Sequence, residues 1–153
     1  MYCEYVGRGY EHYPDEIPRI LEWMERFRRI PDPKEIKEQI ARTSDTNSYW
    51  VSTEGIPPRN LVGRKTATGV VANPLSLEVR ILEGNSIAIS SPGERHVLRL
   101  NGEMVNLEER VKVRLGSRQR FHDFLEPRIE PLLENFEETA DRQRLYPIRL
   151  TVE

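Results

Sequence analysis

Cysteine is almost absent from this sequence of 153 residues: Cys3 stands alone. That excludes an internal disulfide and a zinc site built on several thiolates, and leaves Cys3 to be read as a small buried strand residue. Long apolar runs are missing too. None approaches the about 20 residues that a membrane-spanning helix needs, and the first residues lack the basic-then-apolar pattern of a secretory signal. A complete chain of this kind is expected in the cytoplasm, although a parent protein carrying it could be exported. Charge of one sign is not in excess: 23 basic and 25 acidic residues give a formal charge of -2. No global field therefore draws in nucleic acid or an anionic membrane, and neither is expected as a partner. Only three histidines occur, His12, His96 and His122. They are scattered, and the adjacent His122-Asp123 pair points apart on a strand, so no metal and no cofactor is expected.

What the sequence does contain is one clear amphipathic helix and many short strands. Ile17, Ile20, Leu21, Met24 and Phe27 recur at helical spacing. Asp15 is the expected N-cap, Glu16 and Pro18 suit a first turn, and Arg26, Arg28 and Arg29 suit a last one. Pro31 and Pro33 stop the helix. The stripe must pack on something, and the short strand Tyr2–Val6 before it is too small. It is expected to dock on the downstream domain or on another chain. The domain boundary is placed there: residues 1–31 form a strand-loop-helix arm and residues 32–153 a β-sandwich domain.

Beyond Pro33 the pattern changes. Lys34–Arg42 fits either a helix or, through Ile36, Glu38 and Ile40, an edge strand. Ser48–Thr53 favours the strand by offering it a partner. Gly55–Lys65 reads as a surface loop. Thr68–Ala72, Ser76–Leu82, Ser86–Ser90, His96–Leu100, Arg110–Leu115, Gln119–Phe124 and Leu145–Val152 read as strands, several with period-two alternation. Asn101-Gly102 is a tight-turn signal. A second helix is expected at Arg128–Thr139 with Ile129, Leu132, Leu133 and Phe136 on one face. The fold class is mainly β: a small β-sandwich or partial barrel with an N-terminal strand-helix arm and one C-terminal helix.

Two passages in this order resemble a group of large bacterial α/β-hydrolases of the peptidase or esterase type, which carry a β-sandwich after the catalytic domain. The first is Gly7-Arg-Gly-Tyr-Glu-His-Tyr13 followed by the helix through Glu22-Trp-Met24. The second runs from Leu98 to Val152: Leu98-Arg-Leu-Asn101, Met104-Val-Asn-Leu-Glu108, Val111-Lys-Val113, Leu132-Leu-Glu134 and Ala140-Asp-Arg-Gln-Arg-Leu-Tyr-Pro-Ile-Arg-Leu150. The resemblance implies that residues 2–29 correspond to the last strand and helix of the hydrolase domain. Residues from about 34 onward correspond to its C-terminal β-domain.

Such enzymes hold their base histidine after a glycine turn that follows the last strand. The equivalent position here is Tyr10, whose phenol is too weakly acidic to serve as a neutral-pH base. His12, two residues on, is the candidate catalytic residue, and only within a complete parent enzyme. The nearest approach to a Gly-x-Ser-x-Gly elbow is Gly84-Asn-Ser86-Ile-Ala88, in a strand-turn-strand setting rather than strand-turn-helix. Trp23 and Trp50 are expected as core or interface anchors. The expected function is that of a non-catalytic C-terminal β-domain, acting in stability, assembly or substrate access. Its partner would be the missing hydrolase domain or a second copy, met through the N-terminal arm. The alternative is a stand-alone β-sandwich that binds protein or ligand.

Overall fold

The computed structural model describes residues 6–7, 9, 14–27, 30–66, 69–71, 73–142 and 144–153. The chain divides into two compact units, Met1–Ile30 and Pro31–Glu153. The expected strand Tyr2–Val6 lies almost wholly outside the described residues.

In the first unit a 3-10 turn, Pro14–Glu16, runs into α1, Ile17–Glu25. Asp15 is inside the turn and does not cap the helix. Glu16 takes the N-cap position without a side-chain bond, so the helix starts on Pro18's pre-set backbone instead. It ends at Glu25, with Arg26 as C-cap. Exposed pairs, Arg19 with Glu16 and Arg26 with Glu22, lie along it. The rings of Trp23 and Phe27 meet at 4.8 Å between centroids.

The second unit is a mainly β sandwich. Its strands are β1 (Glu35–Ile40), β2 (Asn47–Ser48), β3 (Val51–Glu54), β4 (Arg64–Thr66), β5 (Gly69–Val71), β6 (Leu75–Leu82), β7 (Ser86–Ser90), β8 (Arg95–Leu100), β9 (Val111–Leu115), β10 (Arg118–Asp123) and β11 (Ile148–Val152). One helix, α2 (Ile129–Thr139), precedes β11. The first sheet has the order β1-β6-β7-β9-β10, the second β11-β8-β3-β2, and β4 and β5 form a separate ribbon. Neither sheet closes into a barrel among the described residues. No described helix is long and apolar enough to cross a membrane.

Alternation sets the register. Ile36 lies opposite Val79, Val79 opposite Ile89, and Ile87 opposite Val113. In the second sheet Val51 faces Leu98, and Leu98 and Leu100 face Leu150 and Ile148. A slip of one residue would turn each of these rows toward water. Both sets join one core cluster, centred on the fully buried Trp50. Each buried Val, Leu or Ile side chain there contributes about 1.5–3 kcal/mol relative to exposure.

Three expectations are corrected. First, β1 pairs with β6 rather than with Ser48–Thr53, because Ile36 and Ile40 face the apolar row of the first sheet. Second, Ser48–Thr53 is a hairpin, β2 and β3, turning at Tyr49-Trp50. Tyr49 there adopts φ +51°. The turn is secured by Trp50, buried and donating its Nε1–H to the Pro33 carbonyl at 3.0 Å. Third, Asn101-Gly102 does not close a hairpin. It starts the crossover that carries the chain from β8 in one sheet to β9 in the other, where β9 runs parallel to β7. Within the expected Gly55–Lys65 loop, a 3-10 turn at Pro58–Leu61 and the start of β4 are ordered.

Asn85 holds that crossover. Its Nδ2 donates to the carbonyls of Asn106 (2.8 Å), Glu109 and Arg110 (3.3 Å each), and its Oδ1 accepts from the Asn106 N–H (2.9 Å). It does so from φ +55°, a region that asparagine tolerates better than most residues. The N–H groups of Glu103 and Met104 donate to Asn101 Oδ1, shaping the other end. At one edge of the first sheet, β10 carries a bulge between Gln119 and Phe121.

Asn85→Ala should lose both the staple and the backbone tolerance, destabilising the sandwich by about 2–3 kcal/mol. Asn85→Gly should keep the backbone and lose only the staple, costing about 1 kcal/mol less. Urea denaturation of the three proteins checks the order.

Candidate functional site

His12 and Tyr10 lie outside the described residues, as do Cys3 and the tyrosines Tyr2, Tyr5 and Tyr13. Ser86 opens β7 after a three-residue hairpin turn in which Gly84 and Asn85 both have positive φ. No helix follows, so this is not a nucleophile elbow. In the sheet Ser86 and His122 flank Lys112 from opposite sides, two strand spacings apart, roughly 10 Å. That is beyond hydrogen-bond reach. His122 is exposed on β10, and His96 belongs to the other sheet. Among the described residues no group of three or more His, Cys, Asp or Glu is placed to hold a metal ion.

A different constellation emerges on the outer face of the second sheet. Because Leu98 and Leu100 enter the core, Arg99 between them must point the other way. Ser52, beside the core residue Val51, does the same. The Arg99 guanidinium donates to Ser52 Oγ at 2.6 Å, and Ser52 donates to Asn47 Oδ1 at 2.6 Å. This chain of three polar side chains spans β8, β3 and β2.

Helix α2 lies over that face. Of the anticipated apolar side, Leu132 and Phe136 are half-buried while Ile129 is 71% and Leu133 53% exposed. The one fully buried residue of the helix is Asn135, at 5%. The sheet face beneath offers Arg99 and Arg149, which pair with Glu138 (3.4 Å) and Glu134 (2.9 Å) on the polar side of α2. The Arg128 N–H also donates to the Pro147 carbonyl, fixing the helix start beside β11.

Between helix and sheet lies a cavity of about 430 Å³, within the range of small-molecule sites. Arg99 and Asn47 line its sheet side, and Asn135, Glu138 and Thr139 its helix side. Tyr49, Arg144 and Tyr146 complete the lining. Every one of these side chains carries a hydrogen-bonding group, and none is aliphatic. Two buried atoms have no hydrogen-bond partner among the described residues: Asn135 Oδ1, an acceptor, and Arg144 Nε, a donor. Tyr146 is held rigidly. It donates to Asp32 Oδ1 at 2.5 Å, Asn101 Nδ2 grips the other Asp32 oxygen at 3.1 Å, and the Arg144 guanidinium bonds the phenol oxygen. Burial first, then the bond to Asp32, pushes the Tyr146 phenol up to about 12. It is a fixed donor at working pH and not a base. Near the rim Tyr49 is 44% exposed. The lining offers donors, acceptors and aromatic rings.

Sequence reading missed this site because its members are dispersed from Asn47 to Tyr146. One signal was present: a lone arginine inside the apolar run His96-Val-Leu-Arg99-Leu.

His96 has another role. It is fully buried on the core face opposite Thr53 and Val152. Neither ring nitrogen, nor Thr53 Oγ1, has a well-formed bond among the described residues. Desolvation lowers its pKa below the ordinary 6.5, partly offset by the backbone of Val152. The unfolded chain therefore takes up a proton that the folded one refuses. Stability should be full above about pH 6.5 and fall as the pH drops below it, by at most about 1.4 kcal/mol per unit. Urea midpoints between pH 7.5 and 5 should show this slope, and His96→Leu should remove its share of it.

No protein-family model, curated protein or solved structure matches the chain. The likeness to α/β-hydrolases therefore rests on the sequence passages alone.

Proposed function

We propose that this chain is a non-catalytic β-sandwich module which a helical arm attaches to a larger protein body; the sequence resemblance points to the catalytic domain of a peptidase- or esterase-type α/β-hydrolase as that body. The observation carrying this reading is the state of α1. None of its nine residues is buried. Ile17, Ile20, Leu21 and Met24, at helix positions i, i+3, i+4 and i+7, are 54%, 46%, 55% and 55% exposed. Four large apolar side chains aligned on one helix face form the pattern by which helices seat in a groove of another protein. Among the described residues the core cluster of the sandwich runs from Ile36 to Val152. The setting of Ser86, with no helix after its turn and Lys112 between it and His122, supports the non-catalytic part.

Sedimentation of the purified chain should show concentration-dependent self-association through this face when no other partner is present. Leu21→Glu with Met24→Glu should return it to monomer while leaving the thermal midpoint of the sandwich unchanged. A wild-type chain that stays monomeric at every concentration counts against the attachment role. Activated esters and peptide amides should show no turnover above background. Turnover lost in Ser86→Ala or His12→Ala would overturn the non-catalytic reading.

A further inference from the structure

We infer that the outer face of the first sheet, where β7 meets β9, is a docking surface for an extended acidic segment of a partner polypeptide. Residues 110–122 hold five cationic side chains, Arg110, Lys112, Arg114, Arg118 and Arg120, and no acidic one. The whole chain has a formal charge of -2, so its other residues together carry -7. The β9–β10 hairpin is a local reversal of sign.

Pairing sets it apart further. Lys37, Arg80, Arg95, Arg99 and Arg149, the cations of β1, β6, β8 and β11, each meet a carboxylate within ion-pair distance. None of the five cations between Arg110 and Arg120 does so among the described residues. Arg110 lies instead over the Phe124 ring, 5.6 Å from its centroid. Like charges gathered without counter-charges repel one another, and a segment that brings carboxylates relieves that repulsion as it binds.

The sheet gives the charges a usable spacing. Lys112 and Arg114 alternate with the buried Val111 and Val113, so they share the outward face of β9. Beside them on β7 stand Ser86 and Ala88, and beyond these on β6 Leu82 and Arg80. Small side chains between larger ones leave a shallow trough over β7. One wall carries the two unpaired cations, and the other the exposed Leu82. Alternate residues of a strand are roughly 6.7 Å apart, and an extended segment in the trough has the same spacing along each of its faces. Carboxylates at alternate positions therefore meet Lys112 and Arg114 in register, and a guanidinium receives a carboxylate through two parallel bonds.

Size decides against longer polyanions. Arg110 to Arg114 spans roughly 13 Å of strand, and electrostatic fields fade over about 8 Å at physiological ionic strength. A nucleic acid or an anionic membrane reaches past the hairpin and meets the acidic surplus elsewhere on the chain. The hairpin also lacks a platform for stacking bases, since Phe121 lies on the core side opposite Val113.

The test is titration calorimetry and NMR shift mapping of the full chain with the capped peptide (Glu-Ser)4. The comparison probes are capped (Gln-Ser)4, oligothymidylate and phosphatidylserine vesicles. (Glu-Ser)4 should bind saturably with a submillimolar dissociation constant, shift the amides of β7 and β9, and weaken about threefold or more between low and physiological salt. Lys112→Gln with Arg114→Gln should weaken it about tenfold or more while the thermal midpoint stays equal or rises, because like-charge repulsion is removed. Two residues that served only the fold would lower the midpoint. Lys37→Gln, on the same face but ion-paired, should change affinity less than about twofold. Absence of (Glu-Ser)4 binding, equal binding of (Gln-Ser)4, undiminished binding by the double variant, or tighter binding of the oligonucleotide or the vesicles would overturn the assignment. The outcome is independent of whether α1 attaches the module to a hydrolase.

Discussion

Asp32 is the residue on which the arrangement of the sandwich turns. Its two carboxylate oxygens are taken by Tyr146, on the approach to β11, and by Asn101, at the start of the crossover between sheets. The next residue, Pro33, accepts from the buried Trp50 indole. Three segments far apart in sequence thus converge on the entrance to β1. The net value of each bond is modest, but each also removes freedom from a connection that the hydrophobic core cannot specify by itself. The apolar rows fix which face of each strand is inward. The Asp32 clasp and the Asn85 staple fix how the chain passes from one sheet to the other.

The same clasp explains why a polar cavity can persist. Tyr146 is anchored by Asp32 and in turn supports Arg144; Arg99 is anchored by Ser52 and Glu138. Side chains held in this way present their remaining groups in fixed directions, which lowers the ordering cost of binding. Helix α2 contributes by lying with its carboxylates over Arg99 and Arg149. It leaves Ile129 and Leu133 in water as the cost of placing Asn135 inside.

The strands were legible in the sequence wherever alternation was strong: Leu77, Val79, Ile87 and Ile89 dictate their own register. The mainly β sandwich followed from them. What could not be read were features set by partners distant in sequence. Ile36 and Ile40 announce a strand but not that Leu75–Leu82 lies beside it. Asn101-Gly102 announces a turn but not the sheet change beyond it. The apolar positions of α2 announce an amphipathic helix, and nothing local reveals that Asn135 would be its buried residue. The cavity was illegible for the same reason, being made of ordinary polar residues whose meaning lies in their convergence.

The bulge in β10 has a consequence for how copies of this module meet. An open sheet edge with regular, unpaired backbone groups invites other strands and can template fibres. Here the β10 edge is broken between Gln119 and Phe121 and flanked by Arg118, Arg120 and His122, while β2 in the second sheet is only two residues long. Growth by adding strand to strand is discouraged on both of these edges. The opposite edges, β1 and β11, keep an unbroken register and are the more open places for another strand to add.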